Sequence, residues 1–357
     1  MLFRFSCIPV LILLLTSCGP GETPLDDFNS AELEEISVFS PNELGIGSIE
    51  EIVALNDSRF IALDRTANRL HHIDSDGNSE NLRLDIPSGS DISSIGSDRA
   101  GHFYVMNSYN GKVYRFEEDE PGYWITNLEI SFQDQVSEMP RKLGVSDDYL
   151  FIKSFAHGQP DEEYSEGKLY SFDHDGNALI SDPITFPMQN LTRDPLRQSG
   201  MPIPIPFSNT TVFATDNDGS AWLGWTENAE LTAYSHEGRQ ISQIQYELQP
   251  AESDIEELED WLETMGPELR NTVETSLPQY LPIMHNVVVS AQDEIWIRIL
   301  AENTSTNMIV FDREGNHLRQ LQLPGDFELY DVYGNTLIGV KQDVTGEDTI
   351  RLYRWSD

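Results

Sequence analysis

After residue 18 the chain contains no cysteine, because its only two are Cys7 and Cys18. Disulfides are therefore excluded from everything downstream, and a folded domain there must be held by its hydrophobic core. Basic residues are scarce as well: 22 Lys and Arg stand against 61 Asp and Glu, a formal charge of -39. Such a polyanion repels nucleic acid and anionic lipid headgroups, which argues against both as partners. No apolar run approaches the roughly 20 residues a helix needs to cross a bilayer; the N-terminal one extends only from Ile8 to Leu15. The chain also lacks a G-x-S-x-G elbow, an H-E-x-x-H pair and a phosphate-cradling glycine loop, so no local motif announces catalysis.

What is present begins with an address. Arg4 followed by the short apolar run reads as a removable signal over residues 1–17. The run ends in Leu15-Thr16-Ser17-Cys18, which resembles the lipobox of bacterial lipoproteins. The resemblance implies that Cys18 is lipidated and becomes the new N-terminus, anchoring the chain to a membrane. Gly19, where an inner-membrane lipoprotein would carry aspartate, implies a cell-envelope lipoprotein of the outer membrane. Residues 18–31 have the Gly, Pro and acidic content of a flexible tether.

From residue 32 onward one pattern recurs six times. Runs such as RFIALDR (59–65), YLFIKSF (149–155) and EIWIRIL (294–300) are rich in β-branched and aromatic residues. Each is preceded by a strand-like run ending in a polar turn and followed, after a loop, by another ending in an Asp/Gly turn. The unit predicts an all-β fold: a six-bladed β-propeller of four-stranded antiparallel blades over residues 32–357, expected as a monomer. The sixth unit ends at Asp357 one strand short, and ELEEISVFS (32–40) is predicted to supply that strand and close the ring. Trp222 and Trp296 are expected between blades, as core.

LYSFDHDGNALI (169–180) looks at first like the start of a calcium loop, but the twelfth residue counted from Asp173 is Ile184, not the bidentate Glu that loop requires. Its echoes near Gly77, Gly238 and Gly315 identify it as a hairpin turn of the blade, with the Gly at positive φ.

The lipobox, the F-D-x-[DE]-G-N hairpins (Phe172 to Asn177, Phe311 to Asn316) and YLPIMHNVVVSAQDEIWIRI (280–299) together resemble NHL-type or TolB-like six-bladed propeller lipoproteins of Gram-negative bacteria. The resemblance implies a fold and an address more than an activity. No blade carries the WD dipeptide of WD40 repeats.

In propellers of this topology the loops between the second and third strands and the connections between blades share one face. The long irregular segments 156–167, 187–205 and 247–282 all map there. Within the last, a helical insert over 251–279 is predicted between blades four and five. Ser253 and Glu256 form a capping box, Ile255, Leu258, Leu262 and Met265 an apolar stripe, and Pro267 starts a second helix. The insert is expected to pack on the rim or to act as a lid.

Candidate ligand-binding residues at that mouth are Glu50, Asp91, Tyr109, Arg141, Lys142, His157, Arg193, Arg197, Trp225 and His285, with Asn286 beside the last. The adjacent Arg141 and Lys142 suit a carboxylate or phosphate, or an ion pair with neighbouring acids. His285, between Met284 and Asn286, is expected as a satisfied structural histidine. Two functions are compatible with this inventory. One is a binding or scaffolding module for a protein, peptide or glycan, with no cofactor. The alternative is a lactonase-like hydrolase or lyase whose channel carboxylates, such as Glu50 and Asp91, hold a divalent cation such as calcium.

Overall fold

The computed structural model describes residues 32–356 apart from 85, 88–90, 121, 157–163, 194–201, 247, 249, 254–261, 264, 301–306, 325–326 and 343–346. The described strands form six antiparallel sheets arranged as a six-bladed propeller. Strand β1 (Glu32–Phe39) comes first, followed by helix α1 (Pro41–Leu44). Blade one is β2 (Ile49–Asn56), β3 (Arg59–Asp64), β4 (Arg69–Asp74) and β5 (Ser79–Asn81), and blade two is β6 (Ser94–Ser97), β7 (Phe103–Asn107), β8 (Lys112–Glu120) and β9 (Tyr123–Ser131). Blade three is β10 (Met139–Val145), β11 (Tyr149–Ala156), β12 (Tyr164–Asp173) and β13 (Ile184–Arg193), extended by β14 (Pro202–Pro204). Blade four contains β15 (Thr211–Thr215), β16 (Ser220–Trp225), β17 (Glu230–Ser235) and β18 (Gln240–Gln245). Blade five follows with β19 (Met284–Val289), β20 (Ile295–Ile299), β21 (Asn307–Phe311) and β22 (His317–Gln322), and blade six with β23 (Phe327–Tyr333), β24 (Thr336–Gln342) and β25 (Asp348–Ser356).

β1 completes blade six by pairing with β25, from Glu32 opposite Ser356 to Phe39 opposite Ile350. The two ends of the described chain therefore lie in one sheet, and β25 is left with no open edge to recruit another molecule. Glu35 pins the register, accepting from the Arg351 guanidinium at 2.5 Å and from the Tyr353 hydroxyl at 2.9 Å.

The core lies between blades. Tyr104 and Val113 of blade two pack with Leu143 and Ile152 of blade three. Trp296 and Met308 of blade five pack with Phe327 and Leu337 of blade six. Trp222 and Trp296 are both buried, as core positions should be.

The Asp/Gly hairpins are turns held by side-chain acceptors. In LYSFDHDGNALI, Asp173 Oδ1 accepts the backbone N–H of Asp175 at 3.0 Å and of Asn177 at 2.8 Å, and Gly176 sits at φ 84°. Asp74 and Asp312 hold their own turns in the same way. The second residue of each turn reaches the preceding blade: the His174 ring lies 5.9 Å from Tyr104, His236 stacks on Tyr149 at 3.9 Å, and Arg313 is 3.1 Å from Asp216. These carboxylates are engaged in local backbone bonds, which is turn chemistry and not metal ligation.

Two connections differ in detail from the sequence expectation. Segment 187–205 is partly strand, since β13 runs to Arg193 and Leu191, Thr192 and Arg193 pair with Pro204, Ile203 and Pro202 of β14. Proline is tolerated in β14 because this is an outer edge where a ladder N–H can be missing. In the insert, α2 (Pro267–Ser276) starts at Pro267 as expected, while residues 254–261 of the other predicted helix lie outside the described residues. Buried Leu262 and Val273 pack with Phe207, Met265, Leu269 and Leu277 in a small core of their own. That contact seats α2 against the connection between blades three and four.

Candidate functional site

The first strand of each blade lines a central channel, and its starting end defines the upper face. An innermost strand has one edge without a ladder partner, so its backbone donors need acceptors from elsewhere. In four blades the ladder slips by one residue near the upper end of this strand: Glu50, Arg141, His285 and Tyr330 are the extra residues. A bulge of this kind re-aims the residue that follows it. Those followers, Glu51, Lys142, Asn286 and Asp331, line the channel.

Each follower makes a contact to another blade. Asp331 accepts the Ala54 N–H of blade one at 2.7 Å, as well as that of its neighbour Val332 at 2.7 Å. Glu51 accepts the Ile95 N–H of blade two at 2.6 Å, the Ser94 hydroxyl at 2.9 Å and the Lys142 ammonium of blade three at 2.8 Å. Ser94 Oγ in turn accepts the Leu143 N–H at 3.0 Å, and Asn286 Nδ2 donates to the Leu329 carbonyl of blade six at 2.8 Å. Lys153, opposite Lys142 in the ladder, donates to the Thr211 carbonyl of blade four. The result is a polar girdle tying blade to blade. Burial raises the Asp331 carboxyl to about 6, with its two N–H donors and Lys142 pulling the other way. Burial, reinforced by Lys142, lowers the Lys153 ammonium to about 7.

The channel encloses a cavity of about 310 Å³. Its lower end is barred by an ion pair between Arg99 and Asp293, which belong to blades two and five on opposite sides of the ring. Asn217 of blade four donates to Asp293 through Nδ2 at 2.8 Å and through its backbone at 3.1 Å. Asp147 of blade three accepts the Arg99 N–H at 3.3 Å. Four blades are thus joined across the floor.

The predicted site residues are distributed around this mouth, but in different roles. Lys142 is ion-paired with Glu51, and Arg141 lies over the Phe155 ring at 5.6 Å. Glu50 is at the lip, paired with Arg65 at 2.5 Å, and Asp91 is exposed within electrostatic reach of the same guanidinium. His285, the extra residue of a bulge, is exposed at the mouth. Protein surrounds much of it there, and this enclosure, with the Arg298 charge, holds its imidazole below the ordinary histidine value. Tyr109 is 91% exposed, and half-buried Trp225 donates from Nε1 to Glu227 at 3.0 Å. Arg193 ends β13, with its side chain outside the described residues, as are His157, Arg197 and Cys18.

Among the described residues no three His, Cys, Asp or Glu side chains come together in a group that could hold a metal ion. Glu50 lines the cavity but is paired with Arg65, Asp91 does not line it, and Glu51 is occupied by donors on two other blades. The described residues of the channel thus do not fit a divalent cation.

Sequence reasoning missed Glu51, Ser94, Lys153 and Asp331. A recurring signal could have found Glu51 and Asp331: two polar or aromatic residues followed by an aliphatic one, in Glu50-Glu51-Ile52, Arg141-Lys142-Leu143, His285-Asn286-Val287 and Tyr330-Asp331-Val332.

The upper rim also carries exposed apolar groups. Tyr109, Met139, Tyr164 and Tyr280 all lie there, at 91%, 49%, 45% and 45% exposure, and they are half of the eight large apolar side chains that are exposed among the described residues. Short links join neighbours in two sets, one around Tyr109 and Met139 and the other around Tyr164, Trp225 and Tyr280. Ser108 Oγ donates to the Pro140 carbonyl at 3.0 Å, Tyr164 and Trp225 have ring centroids 6.2 Å apart, and the Ile283 N–H donates to the Thr226 carbonyl at 2.8 Å.

No family model and no curated protein matches the chain. Solved structures do. A member of the DUF4221 family from Bacteroides vulgatus superposes with a TM-score of 0.53 at 8% identity, over 92% of this chain and 98% of that one. Virginiamycin B lyase from Staphylococcus aureus gives 0.44 at 11% identity, covering 91% and 99%, and a regucalcin from Agrobacterium tumefaciens, described as calcium-binding, gives 0.44 at 12%, covering 89% and 93%. At these identities the likeness concerns the fold alone: the chain has the architecture of a six-bladed β-propeller. Among the described residues no helix is long and apolar enough to cross a membrane.

Proposed function

We propose that this chain is a binding or scaffolding module of the cell envelope, an NHL-type or TolB-like propeller lipoprotein that acts as a monomer and takes a protein, peptide or glycan ligand on its upper face. One contrast supports this reading. The channel carboxylates of Glu51 and Asp331 are engaged in contacts between blades, whereas the upper rim keeps exposed Tyr109, Tyr164 and Tyr280. Contiguous exposed apolar surface on a folded domain marks a site of association.

The reading is tested by probing peptide and glycan arrays with the purified chain and with a Tyr109→Ala/Trp225→Ala variant. Saturable binding that the variant loses is expected. Chelator-sensitive lactone hydrolysis together with a stoichiometric bound metal would replace this reading with the hydrolase alternative. For the envelope address, Cys18→Ala is expected to move the protein from the membrane fraction to the soluble fraction; unchanged membrane association sinks the lipid anchor.

A further inference from the structure

The exposed aromatic groups of the upper rim are accompanied by carboxylates. Trp225 is held by Glu227 through its indole N–H, so an indole face and an exposed carboxylate stand side by side at the end of β16. Tyr164 leans on the same indole, and exposed Glu166 lies two residues further along β12. Tyr280, reached from Trp225 through Thr226 and Ile283, pairs across an isolated bridge with exposed Glu252. Three times, then, an exposed or half-exposed ring is found beside an exposed acid. This is the combination that recognises a lysine or arginine side chain, whose charge is attracted both to the ring face and to the carboxylate. The whole-chain charge of -39 adds a long-range attraction for cations and a repulsion of anions.

From this charge complementarity we infer that the arc from blade three to the insert before blade five docks an extended, Lys- or Arg-bearing peptide segment of a partner protein. The inference rests on the binding reading above and narrows its ligand class. An extended segment suits the arc because successive ring-acid pairs sit on different loops, and alternate side chains of one strand could address them in turn. A neutral glycan would use the rings but leave the acids without partners.

The purified chain is titrated with a fluorescein-labelled dodecapeptide of alternating Lys and Ser, with a Gly/Ser dodecapeptide, with a Glu/Ser dodecapeptide and with chitohexaose, each at low and moderate salt. Saturable binding of the Lys/Ser peptide alone is expected, weakening several-fold as salt rises. Trp225→Ala should weaken it at least tenfold and Glu227→Gln several-fold, while Tyr123→Ala, an exposed ring on the lower face, should leave it unchanged. Because Trp225 is half-buried, Glu227→Gln serves as the variant that leaves packing intact. Equal affinity for the Lys/Ser peptide in wild type, Trp225→Ala and Glu227→Gln would show unspecific attraction to a polyanion and overturn the inference. Trp225-dependent binding of chitohexaose or the Gly/Ser peptide without the Lys/Ser peptide would overturn the cationic class and keep the binding face. If no probe binds in a Trp225-dependent way, both fall.

Discussion

Asp331→Asn tests the polar girdle at an acid that bonds two backbone donors. The carboxylate accepts two backbone N–H groups, from Ala54 and Val332. An asparagine can offer an oxygen to only one of them and turns its NH₂ toward the other, which costs about 1–3 kcal/mol for a buried donor left unpaired. Against this stands the cost of keeping a charge in the site: burial lifts the carboxyl from its ordinary 3.8 to about 6. At roughly 1.4 kcal/mol per pH unit, that gap amounts to about 3 kcal/mol at neutral pH. The two effects oppose, so near pH 7 the variant and the wild type should differ in stability by about 2 kcal/mol or less. Their pH dependence should differ more clearly. Because the folded state takes up the proton at higher pH than the unfolded chain, the Asp331 contribution becomes more favourable as pH falls through about 6 toward 3.8. Between pH 7 and pH 5 the wild type should gain about 1 kcal/mol relative to Asp331→Asn, in which this position does not titrate. Urea denaturation of both proteins at the two pH values measures the difference, and titrations elsewhere cancel in the comparison. A wild-type advantage that stays constant or shrinks on going to pH 5 would refute a raised carboxyl at Asp331.

Three further changes probe the ring. Trp222 is buried between blades and donates from Nε1 to buried Asp216 at 3.2 Å, so Trp222→Ala should lose about 3–5 kcal/mol in chemical denaturation; a loss under about 1 kcal/mol would mean the site collapses around the missing ring. A Cβ on Gly144 would stand 2.3 Å from Thr215 Cγ2 and 2.7 Å from Phe213 Cζ, so Gly144→Ala should lower stability by about 1–3 kcal/mol through overpacking of blades three and four, and an unchanged melting temperature would disprove that close approach. Deleting residues 32–39 removes β1 and bares the edge of β25, and light scattering should then detect association that the intact ring lacks; a monomeric, equally stable truncation would show that β1 is dispensable for closure.

The fold was legible in the sequence because each blade repeats a local signal. A strand such as RFIALDR and a turn such as Asp173-His174-Asp175-Gly176 declare themselves within a dozen residues, and six copies in order specify the ring. The closing strand could be inferred too, since a sixth unit one strand short implies a donor elsewhere. The channel was less legible, and the bulges explain why. Side chains alternate along a strand, so one inserted residue exchanges those that face the channel for those that do not. At Glu50 the sequence expectation fell on the inserted residue while Glu51 received the contact to the next blades; at Arg141-Lys142 and His285-Asn286 it named both residues without separating the inserted one from its follower. Partnership was hidden for a second reason: the contacts of the girdle join residues far apart in the chain, with Ile95 and Glu51 separated by 44 positions, Lys142 and Glu51 by 91, and Ala54 and Asp331 by 277.

The same geometry decides where a ligand has polar partners to meet. An acid that caps the bare edge of a neighbouring blade cannot turn to a ligand without opening that contact, so the girdle acts in ring closure. Acids outside the ladder are under no such obligation. Among the described residues Glu227 bonds the indole of Trp225, and the carboxylate is exposed and the ring half-exposed on the rim. Polar residues at a propeller's centre are therefore a poor guide to its ligand when they stand just after a bulge, and the rim loops, where the repeat breaks down, are the better one.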